Sequence, residues 1–158
     1  MSVLRFLMLL SLVVWLGGVV FFAFVVAPAA FAVLPTHHLA GNLVNRSLSA
    51  LHWMGIVSGL VFAGASTVSR RLATGSAHPL ALPHILIYLM ILLTLVSQFV
   101  ISGRLAALRS EMGVIDTVSP GDARRVQFNR LHHWSVRTEA TVLLLGLAVL
   151  YLTVRRFP

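Results

Sequence analysis

The sequence contains no cysteine and no lysine, and only four of its 158 residues are acidic. Without cysteine the chain can form no disulfide, thiol nucleophile or thiolate metal site. The same absence does not indicate whether the protein lies in an oxidising or a reducing compartment. Only 10% of the residues are charged, whereas 58% are apolar. A chain of this length is expected to form one domain. This composition indicates a membrane protein rather than a soluble globular core.

All twelve basic residues are arginines, and the formal net charge is +8. These arginines are scattered between the apolar segments, and they form no basic face with interleaved aromatic side chains of the kind that follows a nucleic-acid strand. We therefore expect no nucleic-acid partner and interpret the arginines as flanking charges of membrane spans. The all-arginine composition, rich in Ala, Leu and Val, suggests a bacterial protein of the cytoplasmic (inner) membrane.

Four apolar runs are candidate spans of the lipid bilayer, at residues 6–27, 51–68, 82–101 and 140–154. A span requires about 20 helical residues. The helices are expected to continue past the bilayer on one side, over approximately residues 4–34, 39–71, 82–112 and 120–156. The predicted fold is all-α, a single four-span domain over residues 1–158, arranged as an up-down four-helix bundle with a polar cap on one side.

Local signals predict where these helices end. Pro28 lies inside the first helix and should kink it. Gly113 is a natural stop for the third helix. Ser119, followed by Pro120 and then by Asp122, is typical of an N-cap for the fourth helix.

The orientation in the membrane is weakly encoded. With Arg104 and Arg137 set aside as candidate site residues, five arginines flank the side that holds both termini and five flank the cap side. Those on the terminus side lie directly against their spans, which favours cytoplasmic termini.

The fourth apolar run is too short to cross a bilayer unaided. Its 15 residues cover only about 22 Å at about 1.5 Å per residue. Because Arg155 and Arg156 close one end, the missing turn falls on Arg137, Thr138 and Glu139. We therefore expect Glu139 at the rim of the hydrocarbon rather than in free water.

Polar residues from three helices are predicted to meet at the cap side. In an up-down bundle, the start of the second helix, the end of the third and the start of the fourth lie at the same end. The candidate binding cluster is His52, Gln98, Arg104, His132, Ser135, Arg137 and Glu139.

Helical spacing places His132, Ser135 and Glu139 on one face of the fourth helix. An intramembrane carboxylate suggests a functional site with a partner, and the candidate partners of Glu139 are Arg104 and His52. The alternative is that these groups only hold the helices together.

Other polar and small residues receive structural interpretations. Thr94, Gln98 and Ser102 form a polar stripe on the third helix. His37, His38, His78 and His84 are interpreted as solvated loop or interface residues. Gly55 and Gly59 form a GxxxG pair that allows helices to approach closely, either within the chain or in a homo-oligomer.

Four segments carry a resemblance to a known family: "WLGGVVFFAFVVAPAAFAVLP", "AGNLVNRSLSALHWMG", "SQFVISGRLAALRSEM" and "RRVQFNRLHHWSVRTEA". Together they resemble the family of membrane domains of unknown function that includes transmembrane protein 205. The resemblance implies a four-helix membrane protein, with a eukaryotic relative linked to drug and metal-compound resistance, and a patterned face at Phe128, His132, Ser135 and Glu139. Family members often carry Asn at the last position, so Glu139 departs from the pattern.

Four functions compete. The cluster could bind a small molecule or ion, for transport or resistance. His52 and His132 could hold haem or a transition metal, although no helix carries paired ligands at metal-binding spacing. His132 could act as a general base beside Ser135, but two residues on one helix rarely reach attack geometry. A structural or assembly subunit is the fourth alternative. Of these functions we expect the binding of a small molecule or ion, and we expect the lipid bilayer to surround the protein.

Overall fold

A computed structural model describes residues 2–75 and 81–155, and every regular element in these ranges is helical. Four long helices dominate: α1 (Ser2–Val33), α2 (His37–Thr74), α3 (Leu82–Met112) and α4 (Ala123–Val154). Each is long and apolar enough to cross a bilayer. The predicted all-α, four-span fold is confirmed, and the chain is an integral membrane protein.

The four helices form an up-down ring. Each helix packs against the next in the chain, and α1 also packs against α4. Large apolar side chains such as Phe6, Phe24 and Leu144 are at least 61% exposed on the outside of this ring. A water-soluble surface rarely carries so much apolar area, so this outer face is the one that contacts lipid.

The helix ends follow local chemistry. The Thr36 side chain accepts a hydrogen bond from the Leu39 N–H at the start of α2. Gly113 ends α3 with a φ of 65°, a conformation that favours glycine, so the predicted stop is confirmed. A short 3-10 helix, Ile115–Thr117, follows it.

The predicted N-cap of α4 is wrong. The helix begins at Ala123, and its cap is Asp122 rather than Ser119. Asp122 Oδ1 accepts from the Arg124 N–H at 2.8 Å, and Oδ2 accepts from the Arg124 guanidinium at 2.7 Å. These side-chain and backbone hydrogen bonds lower the pKa of Asp122 from 3.8 to about 2. A carboxylate that satisfies both the first-turn N–H and an arginine is a better cap than a serine hydroxyl.

Two π-helical turns interrupt the long helices. The first, Phe22–Val26, lies just before Pro28, and the Ala27 N–H bonds to the Phe22 carbonyl. Proline lacks an N–H and its ring crowds the carbonyl four residues earlier, so the wider turn gives it room. The second, Ser97–Ile101 in α3, had no sequence signal. An extra residue in a turn rotates all later side chains by about 100° relative to an unbroken α-helix.

The glycine pair of α2 packs inside this chain. A Cβ on Gly55 would collide with the Trp15 indole, and one on Gly59 would lie 2.8 Å from Trp15 Cζ3 and 2.8 Å from Ile91 Cγ1. Trp15 itself is 2% exposed. Because α1 and α3 cover Gly55 and Gly59, these glycines serve packing within the chain, and a homo-oligomer stays a prediction.

His84 and His78 are two of the histidines that the sequence analysis placed in loops or at the interface. His84 lies in the first turn of α3 and is fully buried, with its ring 6.4 Å from the Tyr88 ring, so its interpretation as a solvated residue is wrong. His78 lies outside the described residues.

Candidate functional site

The centre of the site is a hydrogen-bonded chain across three helices. His52 Nε2 on α2 lies 2.7 Å from Glu139 Oε1 on α4, and His52 Nδ1 lies 2.7 Å from Gln98 Oε1 on α3. The His52 ring is 1% exposed and the Glu139 side chain 15% exposed. His52, Gln98 and Glu139, which the sequence analysis grouped, are thus in direct contact. Of the two candidate partners of Glu139, the structure selects His52.

The position of Gln98 constrains the protons of this chain. Its amide nitrogen donates to Ser49 Oγ at 2.9 Å, so its amide oxygen faces His52. Because an amide oxygen only accepts, Nδ1 of His52 carries a hydrogen. The hydrogen between Nε2 and Glu139 Oε1 then belongs to either the imidazole or the carboxyl group. In both arrangements the pair is neutral as a whole, which lowers the cost of holding it within an apolar bundle.

Ser97 is a member of this network that the sequence analysis missed. Its hydroxyl donates to Glu139 Oε1 at 3.1 Å, and its side chain is fully buried. Ser97 begins the π turn of α3. The sequence alone offers no reason to place Ser97, rather than a neighbouring residue, against Glu139. Thr94, by contrast, bonds back to the Met90 carbonyl of its own helix and takes no part.

A cavity of about 680 Å³ opens on the cap side. Helix α4 contributes the predicted polar face, with His132, Ser135 and Glu139, and also Phe128. Ser135 is buried, whereas His132 is exposed toward the cap with its ring 6.3 Å from that of His133. Ser102 of the α3 stripe also lines the cavity. The structure therefore brings the whole predicted face of α4 to one cavity.

Most of the cavity wall is apolar. Helices α1 and α4 supply many of its apolar residues. Besides Phe128, these are Val19, Phe22, Ala23, Phe24, Ala27, Phe31, Val136, Ala140 and Leu143. Ligand sites commonly have volumes of roughly 300–1,000 Å³ and are largely apolar with a few polar groups, so the volume and the lining suit a small organic molecule.

Two predicted cluster members lie elsewhere. Arg104 is exposed and does not line the cavity, so its prediction as a partner of Glu139 is contradicted. The π turn of α3 precedes it and changes the face on which it emerges. Arg137 is also exposed, with its guanidinium 5.5 Å from the centre of the Trp134 ring on its own helix. This position fits the ability of arginine to reach the membrane interface.

Arg109, rather than Arg104, is the α3 arginine that lines the cavity. One guanidinium nitrogen, Nη1, donates to the Gly41 carbonyl at 3.1 Å and to Asn42 Oδ1 at 3.3 Å. The guanidinium also lies 5.4 Å from the centre of the Phe128 ring. The sequence signal that could have found it is the pair Gly41 and Asn42, because a residue without a side chain lets a guanidinium lie against the helix.

The haem or metal alternative does not fit these residues. Both ring nitrogens of His52 are already engaged, by Gln98 and Glu139. His52 also lies outside the lining of the cavity that holds His132. Within residues 2–75 and 81–155, no three His, Asp or Glu side chains are grouped closely enough to hold a metal ion.

Residues 10–113 match a domain of unknown function, DUF4149. The chain belongs to this family. The match covers α1 from residue 10 onward, α2 and α3, and it ends before α4, so it includes His52, Gln98 and Arg109 but not Glu139. No curated protein and no solved structure matches the chain.

Proposed function

We propose that this DUF4149 protein binds a small molecule in the cap-side cavity, with the Glu139 carboxyl group as its polar anchor. The observation that carries the proposal is that only one of the two oxygens of this carboxyl group is hydrogen-bonded within the described part of the protein. Both the His52 and the Ser97 hydrogen bonds end on Oε1. Among the described residues Oε2 has no hydrogen-bond partner, while Glu139 lines the cavity.

The surroundings favour an organic ligand over a bare ion. A metal ion needs several oxygen or nitrogen ligands converging on one point, whereas this cavity presents mostly aliphatic and aromatic side chains around Glu139. An apolar ligand body would fill the space between α1 and α4. A hydroxyl, amide or ammonium group on it would donate to Oε2 of Glu139.

Native mass spectrometry tests the proposal directly. The protein, purified in mild detergent, is expected to retain a small organic molecule from the membrane. Glu139→Gln keeps a hydrogen-bonding amide beside His52 but removes the carboxyl group that anchors the ligand, so the retained fraction should fall about tenfold, as the loss of one strong hydrogen bond implies.

The matched control is Glu111→Gln, the same change at an exposed glutamate outside the cavity lining. It should retain the ligand as the parent does. Equal retention by Glu139→Gln, or a parent that carries no molecule, would overturn the proposal.

Transport or resistance is the physiological role that we propose for such a site, in the bacterial cytoplasmic membrane and with cytoplasmic termini. The support is the amphipathic cavity between membrane helices and the intramembrane acid with its histidine partner. Efflux of a fluorescent lipophilic cation from cells or vesicles should fall in Glu139→Ala. Equal efflux rates in this variant and the parent would contradict a transport role and restrict the site to binding or to a scaffold.

A further inference from the structure

The cap end of the cavity carries two arginines that no carboxylate neutralises. Arg109 and Arg125 both line it and are partly buried. The hydrogen bonds of Arg109 go to the Gly41 carbonyl and the Asn42 amide, and Arg125 donates to the Val118 carbonyl. Within the described ranges, neither belongs to an ion pair.

A partly buried cation that lacks a counter-charge is costly. Desolvation of a guanidinium is compensated only when an anion and further hydrogen bonds are present. Arg109 Nε is fully buried and has no hydrogen-bond partner among the described residues, so the donor capacity of this side chain is only partly used. Neutral carbonyl groups therefore hold a guanidinium whose charge remains available to a ligand.

Each acid of the cavity bonds to a histidine rather than to an arginine. Asp116 Oδ1 lies 3.0 Å from His37 Nδ1, and its Oδ2 accepts from the His38 N–H at 3.4 Å. Glu139 is bonded to His52. The cap end thus has a positive charge in excess, and it adds neutral donors from Asn45 and Asn129.

The opposite end of the same cavity meets the lipid-facing surface. Phe24 on α1 is 72% exposed and Val136 on α4 is 54% exposed, and both line the cavity. In a bilayer these side chains contact acyl chains. The cavity therefore runs from an arginine-lined end to an opening between α1 and α4 that is accessible from lipid.

We propose that the cap end binds the phosphodiester headgroup of an anionic phospholipid, with Arg109 as the principal contact and the acyl chains left in the bilayer between α1 and α4. The inference rests on the proposed function, because it names the class of molecule that the same cavity holds. Arginine forks match phosphate oxygens, and basic pockets between membrane helices recognise anionic headgroups. The volume of about 680 Å³ suits a headgroup rather than an entire lipid.

The test is a lipid titration of the full chain by native mass spectrometry. Phosphatidylglycerol is the anionic probe and phosphatidylcholine the zwitterionic one, each added to protein stripped of lipid. The parent should bind phosphatidylglycerol in preference, at one lipid per chain. Arg109→Gln should reduce this preference about tenfold, as loss of a charge-assisted contact implies.

Arg104→Gln is the matched control, since it makes the same charge change on the same helix outside the cavity. It should keep the preference. Equal losses in Arg104→Gln and Arg109→Gln would show general attraction to a basic surface and overturn the inference. Equal binding of the two lipids by the parent would also overturn it.

Two further arms complete the design. Inorganic phosphate that displaces phosphatidylglycerol at equal concentration would assign the site to free phosphate instead of lipid. If Arg109→Gln does not fold, Arg125→Gln replaces it, and an unchanged preference in that variant contradicts the inference. Glu139→Gln should weaken the binding of both lipids alike, whereas Arg109→Gln should remove the preference for phosphatidylglycerol, so failure at Glu139 and failure at Arg109 are separate results.

Discussion

His52 Nε2 on α2 and Glu139 Oε1 on α4 lie 2.7 Å apart, although 87 residues separate them in the sequence. The His52 ring is 1% exposed and the Glu139 side chain 15% exposed. This contact closes the bundle at cavity level, because it joins the second helix to the fourth while Gln98 adds the third. A pair held this way stabilises the fold only while both partners are present.

We expect His52→Leu to destabilise the protein by about 1–3 kcal/mol, the cost of leaving a buried polar group without its hydrogen bond. Two groups lose their histidine partner: the Gln98 amide oxygen, and the Glu139 carboxyl, which keeps only the Ser97 hydroxyl among the described residues. Thermal unfolding in detergent, followed by the helical circular dichroism signal, measures the change. His133→Leu is the control, because His133 is exposed on α4 and should unfold close to the parent temperature.

The double variant His52→Leu/Glu139→Leu separates pairing from packing. Replacing both members of a buried pair by apolar residues is often neutral, so the double variant should recover much of the stability lost in His52→Leu. A double variant that is less stable than either single variant would argue that the two residues do not act as a pair.

The Trp15 contact predicts opposite effects at two glycines of α2. Gly55→Ala places a methyl group against the buried indole and should destabilise the protein by about 1–3 kcal/mol, the usual cost of overpacking. Gly64→Ala meets no atom within 4 Å and should be neutral or stabilising by up to about 1 kcal/mol, because alanine is the better helix former. Unfolding midpoints of the two variants that coincide would contradict the close α1–α2 packing.

Apolar length made the four helices predictable, and helical periodicity made the inward face of α4 predictable. His132, Ser135 and Glu139 follow a regular spacing in an unbroken helix, and the cavity receives all three. Simple geometry suffices there because nothing between these positions changes the helical phase.

On α3 the same reasoning placed Gln98 correctly but failed for Arg104, which follows the π turn Ser97–Ile101. Ser97 and Arg109 contribute to the site, whereas Arg104 faces outward. A π turn has no reliable local signature, since it forms when tertiary contacts favour a wider turn. Sequence could therefore place an arginine near the site but could not say which one.

The Asp122 cap predicts a pH dependence at the start of α4. The pKa of Asp122 is lowered from 3.8 to about 2 by the hydrogen bonds from Arg124. When the first turn frays, the carboxyl regains its ordinary affinity for protons, so the frayed state binds more protons between these two values. The cap is thus fully effective above about pH 4, and its contribution is lost as the pH falls toward about 2.

Hydrogen exchange of the Arg124 amide checks this expectation. After correction for the intrinsic exchange rate, protection should decline in the parent between about pH 4 and pH 2. Asp122→Asn is the control, because asparagine also caps helices but does not titrate, and its protection should stay level. A decline of equal size in Asp122→Asn would assign the effect to other groups.

The absence of cysteine permits a direct test of orientation. Ser2 and Ser119 are both exposed and lie on opposite sides of the bundle, at the start of α1 and before α4. Serine-to-cysteine changes at these positions leave every flanking arginine in place, so the charges that set the orientation are preserved.

With cytoplasmic termini, Ser119→Cys should react with a membrane-impermeant maleimide in intact spheroplasts, and Ser2→Cys should react only after lysis. The opposite pattern would place the cap and its arginine-lined cavity in the cytoplasm, where anionic lipid surfaces attract basic segments, and would overturn the orientation while leaving the lipid site intact.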